Sequence, residues 1–251
     1  MITASMITVE RDPAYLADTL DNLLRSDLAT SKALEVLVLC DSGPGTEYAK
    51  SVRDGLGTLE GLVLITGPDG NKAVCSTDNV VRALVSATMF NSEWVMFLED
   101  DIDVCGDFFS SAHLWLDKYA RKNRRVYSFG CPYDFIADMH TRGIEEYDYP
   151  INDFYGTQCF AIRRNDALSL AKYLSNHQYD RAEDGSAYDL LMADWARITY
   201  PEIEHFLACV PSLVQHTGMT SCIRQRQNIH TFTSFPGRDF SLVDRQGVHY
   251  A

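Results

Sequence analysis

The sequence predicts an α/β fold with a largely parallel sheet. Short apolar runs typical of buried strands alternate with segments of helical apolar spacing through the first hundred residues, as in chains built from β-α-β units. At 251 residues and 46% hydrophobic content, the chain can bury a full core as one domain or as two closely fused lobes. We expect a single domain over 1–251, with a nucleotide-binding half over about 1–104.

One segment organises this prediction. Five uninterrupted apolar residues, Trp94 to Leu98, run directly into Glu99, Asp100 and Asp101. An apolar run this short, with aromatic and branched members, predicts a strand buried on both faces, and ligands of open α/β sheets bind beyond such strand ends. Adjacent acids repel one another, so core stability does not explain them, whereas Mg²⁺ or Mn²⁺ prefers carboxylate oxygens. The alternative is a solvated acidic turn.

The other elements follow from the same periodicities. Further strands are predicted at 6–9, 34–40, 62–65, 126–129, 157–163 and 206–210. Further helices are predicted at 79–90, 108–119, 167–174 and 186–198, and a first helix at Pro13, capped by Asp12. Residues 132–154 are rich in Tyr and Asp without a clear period, which predicts a loop. The polar tail from Ser221 is predicted to fold over the active site.

Charge and composition indicate which partners the protein can bind and in which cellular compartment we expect it. A net charge of −13 argues against a broad basic surface for nucleic acid. The predicted helix over 108–119 ends in basic residues between Lys118 and Arg125, which complement the negative end of its dipole; phosphate binding is the alternative. Seven scattered cysteines without a CxxC pair indicate reduced thiols in an intracellular protein. With neither an apolar span of about 18 residues nor a secretory signal, we expect a cytoplasmic protein without a membrane span.

A second motif gives the acids a context. Far beyond them the chain reads Pro211-Ser212-Leu213-Val214-Gln215-His216-Thr217-Gly218. The pair of motifs resembles the GT-A family of nucleotide-sugar glycosyltransferases, and in particular the N-acetylglucosaminyltransferase-IV-like and procollagen-galactosyltransferase-like groups, over about 6–240. The acids resemble that family's DxD motif. The resemblance implies a GT-A fold with an acceptor-binding, catalytic half over about 105–251. It also implies transfer of a hexosyl or N-acetylhexosaminyl group from a nucleotide-sugar donor, expected to be UDP-linked, to an acceptor hydroxyl.

The resemblance also implies roles for the residues of the two motifs. Asp101 would coordinate the metal directly. His216 would be a further ligand, and its imidazole suits Mn²⁺ better than Mg²⁺. Glu99 would join the metal site or, like Asp100, contact metal-bound water, the ribose or the donor sugar. The alternative for His216 is a hydrogen-bonded histidine in a turn before Gly218.

Residues that bind the nucleotide are expected at the ends of the first strands and on the helix over the diphosphate. The candidates are Thr8, Glu10, Arg11, Asp41, Asn79 and Arg82. Asp41 is equally part of an ordinary turn, and a solvated helix position is the alternative for Arg82.

An inverting transferase needs a base, usually a carboxylate, to deprotonate the acceptor hydroxyl. Asp189 resembles the family's base, and a solvated helix acid is its alternative. Asp184 is the second candidate, for which capping of the following helix is an equal alternative. A retaining enzyme would need no such base. Tyr155, Gln158 and Trp195 are candidates for the acceptor surface, with a core position the alternative for Trp195.

Expected acceptors are glycans, glycoconjugates or modified nucleic-acid bases, the last in a viral, phage or bacterial transferase. A nucleotidyltransferase that builds nucleotide sugars has a related fold, but its glycine-rich basic N-terminal loop is absent from this sequence. A non-catalytic nucleotide-sugar-binding protein is the alternative from another class.

Overall fold

The computed structural model describes residues 1–8, 14–41, 50–51, 54, 62–66, 72–155, 157–177, 188–218 and 232–243. Its strands are β1 (Ile2–Thr8), β2 (Leu34–Asp41), β3 (Leu62–Thr66), β4 (Trp94–Glu99), β5 (Ile102–Val104), β6 (Val126–Ser128), β7 (Glu146–Pro150), β8 (Cys159–Arg163), β9 (His205–Cys209) and β10 (Val214–His216). Its helices are α1 (Leu16–Arg25), α2 (Lys72–Ala87), α3 (Phe108–Tyr119), α4 (Phe135–Thr141), α5 (Arg164–His177) and α6 (Tyr188–Thr199), with short 3-10 helices at Ala120–Lys122 and Ile151–Asp153.

Eight strands form one mixed sheet in the order β3-β2-β1-β4-β8-β6-β9-β7. Strands β3, β2, β1 and β4 are parallel, β8 is antiparallel to β4 and to β6, β9 is parallel to β6, and β7 is antiparallel to β9. Six of the eight strands therefore run in one direction. The prediction of an α/β fold with a mainly parallel sheet is confirmed, and the first four strands end at a common edge, called here the carboxyl edge.

The apolar run of β4 lies at the centre of this sheet. Trp94, Met96 and Leu98 point into one hydrophobic core, whereas Val95 and Phe97 point into the core on the opposite face. All five side chains are at most 1% exposed. Because helices cover both faces, the strand is apolar at every position rather than at alternate ones.

Strand β1 begins at Ile2, earlier than the predicted start at residue 6. Thr3 and Ser5 make this stretch polar in sequence, yet both are fully buried. The Thr3 hydroxyl donates to Ser92 Oγ at 2.9 Å, and the Ser5 hydroxyl donates to the Met96 carbonyl oxygen at 3.4 Å. These bonds satisfy the hydroxyls inside the core, so their polarity does not end the strand. The predicted start of the first helix at Asp12 and Pro13 lies outside the described residues.

The prediction of a loop over 132–154 is wrong, because this stretch contains α4, β7 and a 3-10 helix. Its aromatic residues pack on one another across the elements. Tyr133 stacks on Phe135 with ring centroids 5.4 Å apart and meets Tyr149 at 5.5 Å, and Tyr147 meets Phe135 at 5.2 Å. Contacts between elements, which local periodicity does not report, stabilise this region.

The basic residues at the end of α3 and just after it pair with acids on and beside the edge strand β7. Lys118 pairs with Glu145, Lys122 with Glu146, and Arg124 with Asp148 at 3.0 Å. Charged side chains along an edge strand discourage pairing with another chain. The cluster therefore has ion-pair partners across the fold in addition to the helix end that we predicted for it.

Two expectations from the sequence concern the state of the cysteines and the presence of a membrane-spanning helix. Cys105, Cys131, Cys159 and Cys209 are buried free thiols, and burial raises the pKa of Cys131 to about 12. No helix in the described part of the chain is both long and apolar enough to cross a membrane.

Helix α3 is capped by residues that lie far from it in sequence. Asp107 precedes the helix with φ of 50° and makes no side-chain cap. The Ser26 hydroxyl accepts the Phe108 N–H at 2.9 Å, and the buried Asp27 carboxylate accepts the N–H groups of the next two residues, also at 2.9 Å. The turn after α1 thus satisfies the first amides of α3.

Asp27→Ala should lower the free energy of unfolding by about 2 kcal/mol, because one buried and one partly buried amide lose their acceptor. Urea denaturation followed by circular dichroism measures this. Asp21→Ala, which removes an exposed carboxylate paired with Arg25 in the adjacent helix, is the control and should cost less than about 0.5 kcal/mol. Equal losses for the two variants would contradict the capping role.

Candidate active site

The three acids after β4 do not share one environment. Glu99 Oε1 accepts two hydroxyl hydrogen bonds, one from Tyr188 at the start of α6 and one from Thr157 at 3.3 Å. Burial raises the pKa of Tyr188 well above its usual value, and the neighbouring Glu99 carboxylate adds to the rise, so the phenol remains a protonated donor at neutral pH. Glu99 is thereby held from the α6 side of the sheet.

Asp100 is held from β1 and α1 instead. Its Oδ2 accepts the Thr8 hydroxyl at 2.6 Å, and its carbonyl oxygen accepts the Thr19 hydroxyl at 2.7 Å. Thr19 also contacts the backbone of Ile102, with its hydroxyl 3.0 Å from the carbonyl oxygen. Thr8, predicted to bind the nucleotide, therefore contacts Asp100 at the carboxyl edge.

Asp101 is brought to His216 by a two-stranded antiparallel ribbon of β5 and β10, in which His216 pairs with Ile102. The Thr217 N–H donates to the Asp101 carbonyl oxygen at 2.8 Å. The Nε2 atom of His216 lies 3.3 Å from Asp101 Oδ2, and both side chains are buried. Two residues 115 positions apart in sequence thus form one site.

Glu99, Asp101 and His216 each direct one potential ligand atom to this place, and the three atoms lie within 4.8 Å of one another. We call these residues the cation cluster. Two carboxylates and an imidazole form a donor set that suits Mn²⁺, and carboxylates also suit Mg²⁺. Gly218 supports this fit, because a Cβ there would collide with Asp101 Oδ2 and lie 3.0 Å from His216 Nε2.

Some of the predicted nucleotide-binding residues are described by the structure, and the others lie outside the described residues. Asn79 on α2 is buried, and its amide nitrogen lies 3.2 Å from the carbonyl oxygens of both Thr8 and Cys40, so it donates to the ends of β1 and β2. Arg82 follows one turn later in the same helix, in the direction that leads away from the carboxyl edge. Glu10, Arg11 and the side chain of Asp41 lie outside the described residues.

Of the two candidate bases, the structure describes only Asp189. Asp189 lies in the first turn of α6, closer to the helix start than the predicted bounds of 186–198 implied, and an acid there is favoured by the helix dipole. Its Oδ1 accepts the Leu190 N–H at 2.9 Å. It directly follows Tyr188, which contacts Glu99. Asp184 lies outside the described residues.

Among the three candidates for the acceptor surface, Trp195 is fully buried and donates to Ser169 Oγ at 3.1 Å. It is therefore a core residue, the alternative left open by the sequence. Gln158 is nearly buried and lies beside Glu99, whose N–H its carbonyl oxygen accepts at 2.9 Å, whereas Tyr155 is 37% exposed.

Sequence reasoning missed the residues that support the cluster, namely Thr19, Thr157, Tyr188 and Gln215. The Gln215 side chain binds the backbone of Phe232 at two points: its Oε1 accepts the Phe232 N–H at 2.6 Å, and its Nε2 donates to the Phe232 carbonyl oxygen at 3.3 Å. This anchors 232–243, called here the C-terminal strap, to β10. The one sequence signal was the position of Gln215 beside His216.

Gly218→Ala should weaken Mn²⁺ binding by at least about tenfold, because its methyl group would displace Asp101 or His216. Isothermal titration with Mn²⁺ measures the affinity, and circular dichroism checks the fold. Thr217→Ala is the control, since its side chain is exposed and its N–H to Asp101 is kept. Unchanged Mn²⁺ affinity in folded Gly218→Ala would contradict this geometry.

No protein-family model and no curated protein sequence matches the chain. Among solved structures, the chain is similar to the mannosyltransferase PcManGT from Pyrobaculum calidifontis in complex with GDP-Man and Mn²⁺, with a TM-score of 0.50 and 18% identity over 84% of this chain and 56% of that one. It is also similar to S. aureus TarS 1–349, with a TM-score of 0.51 and 14% identity over 84% of this chain and 58% of that one.

The chain thus spans less than two thirds of the length of either neighbour. At such identities the likeness concerns the fold alone, and the chain has a GT-A-like α/β fold. The narrower resemblance to the N-acetylglucosaminyltransferase-IV-like and procollagen-galactosyltransferase-like groups is not supported.

Proposed function

We propose that this chain is a metal-dependent glycosyltransferase that moves a sugar from a nucleotide-sugar donor to an acceptor hydroxyl. The observation that carries the proposal is the convergence of Glu99, Asp101 and His216 at the carboxyl edge of the sheet. Open α/β sheets bind their ligands at this edge. A solvated acidic turn would not require a buried histidine against one of its acids or a glycine with no room for a Cβ.

In this proposal Glu99, Asp101 and His216 hold Mn²⁺ or Mg²⁺, which when bound supplies a Lewis acid to the leaving diphosphate. Asp100 and Thr8 contact the ribose or donor sugar, because Asp100 directly follows β4, Thr8 ends β1, and the two are hydrogen-bonded at the carboxyl edge. Two acids of the triplet thus hold the cation, and the third faces the donor.

Selection of the nucleobase falls to the ends of the first strands. Glu10, Arg11 and Asp41 are our candidates for contacts with the base and ribose. Asn79 fixes the distance between the ends of β1 and β2, where those candidates follow in sequence. Arg82 is the candidate for a diphosphate contact, because helical side chains lean towards the N-terminus of their helix, which here faces the carboxyl edge. We expect a UDP-sugar, and GDP-sugars belong in any test because PcManGT is complexed with GDP-Man.

For the chemical step, Asp189 takes the proton of the acceptor hydroxyl while the hydroxyl oxygen attacks the anomeric carbon. The bond from that carbon to the diphosphate oxygen breaks, the nucleoside diphosphate leaves, and the centre is inverted. Its place next to Tyr188 supports this role, since Tyr188 contacts Glu99 directly. Asp184 is the second candidate for the same role. Glycans or glycoconjugates are the favoured acceptors, because a net charge of −13 opposes binding of polyanionic nucleic acid.

Wild-type protein should be stabilised against heat by one nucleotide sugar only when Mn²⁺ or Mg²⁺ is present. At a ligand concentration of about a hundred times Kd the gain is about 2.7 kcal/mol, which is several degrees in melting temperature for a domain of this size. Differential scanning fluorimetry against UDP- and GDP-sugars, each with and without metal, measures it.

The matched pair of variants is Asp101→Asn and Asp103→Asn. Both remove one negative charge from the same segment, but Asp103 pairs with Arg238 and lies outside the cation cluster. The metal-dependent shift should vanish in the first variant and persist in the second. A shift that survives Asp101→Asn, or no shift with any donor, would overturn the proposed function.

Asp189→Asn should lower kcat by about 10² to 10⁴-fold while donor and metal affinities stay at wild-type values, because only the proton acceptor is removed. Product formation by mass spectrometry and donor binding by calorimetry measure the two effects. Asp194→Asn, on the same helix, is the control. Full turnover by Asp189→Asn would exclude it as base, whereas donor binding without turnover in wild type would favour a non-catalytic binding protein.

A further inference from the structure

We infer that Tyr188 is a positioning residue that couples the cation cluster to the first turn of α6, where Asp189 lies. The inference rests on the proposed function and adds to it a connection between the metal site and the base. Its physical basis is the Tyr188 side chain, which contacts Phe97 and Glu99 of the central strand β4.

Tyr188 sits over two consecutive inward positions of β4. Its ring meets that of Phe97 edge-on with centroids 6.1 Å apart, and its hydroxyl donates to Glu99 Oε1. Residues two apart on a strand point to the same face, so a single side chain can cover both. Phe97 is itself stacked on Phe160 of β8 at 5.1 Å. The ring therefore rests on a rigid aromatic layer, which gives the hydroxyl a defined position.

The hydroxyl of Thr157 donates to the same oxygen of Glu99 at 3.3 Å. Two donors on Oε1 fix the plane of the carboxylate and hence the direction of its other oxygen. Hydrogen bonds to an ionised acceptor are stronger than neutral ones, so this orientation is well determined. Metal ligands are commonly aligned by such outer partners.

The two donors come from different parts of the fold. Thr157 lies just before β8, whereas Tyr188 is the first residue of α6 and Asp189 is the second. A cation that fixes Glu99 therefore also fixes the first turn of α6 through a single hydrogen bond. By linkage, the turn and the cation stabilise each other to the same extent.

The test compares Tyr188→Phe with Thr157→Val, each of which removes one donor from Glu99 Oε1 with little change of shape. Electron paramagnetic resonance of free Mn²⁺ gives the affinity without substrate, and hydrogen exchange read by mass spectrometry follows the amides of 188–194. Both variants should weaken Mn²⁺ binding by about tenfold. At saturating Mn²⁺ and donor, the kcat of Tyr188→Phe should stay below that of the wild type.

Hydrogen exchange distinguishes the alignment of Glu99, to which both residues contribute, from the coupling to α6, which we assign to Tyr188. Saturating Mn²⁺ should slow exchange in the first turn of α6 in wild type and in Thr157→Val but not in Tyr188→Phe. If wild type binds no Mn²⁺, the metal site is wrong and this inference fails with it. If wild type binds Mn²⁺ and exchange in α6 does not change, only the coupling is overturned, a result that needs no variant. A wild-type exchange response in Tyr188→Phe would also overturn it.

Discussion

Three consecutive carboxylates at the end of one buried strand impose an electrostatic constraint on this fold, because like charges at such spacing repel one another in a partly desolvated place. The structure meets the constraint by giving each acid its own partners. Glu99 is held by Tyr188 from α6, Asp100 by Thr8 from β1, and Asp101 lies against the β10 ribbon. Glu99 and Asp101 still meet at the cation cluster, and the elements that pack around the end of β4 supply the hydrogen bonds that hold all three acids.

The ribbon of β5 and β10 solves a second problem, which is to hold a histidine against an acid far away in sequence. His216 is placed by its pairing with Ile102, and the strand that carries it is anchored by Gln215 to the C-terminal strap. Phe232 at the start of the strap lies under Gly130, where a Cβ would approach its ring to 2.5 Å. Glycines thus allow close approach at both ends of this support, Gly218 at the cluster and Gly130 at the strap.

The sequence predicted the parts of this arrangement that local pattern or motif can report. The apolar run before Glu99 predicted the central strand, and the pairing of two motifs predicted that Asp101 and His216 would meet. It failed where stability comes from contacts between elements, as in the aromatic packing around Tyr149 that forms β7. The contact of Tyr188 with Glu99 joins residues 89 apart and depends on how α6 docks on the sheet, which no periodicity reports.

Charge then constrains how a donor could bind under the proposed function. A nucleotide sugar carries an anionic diphosphate, and the edge that would receive it belongs to a chain of net charge −13. Two like charges about 4 Å apart near a protein surface repel by about 4 kcal/mol, so a cation at Glu99, Asp101 and His216 becomes a condition for donor binding. The same cation would neutralise any diphosphate equally. Discrimination among donors therefore rests on the residues that follow the strand ends joined by Asn79.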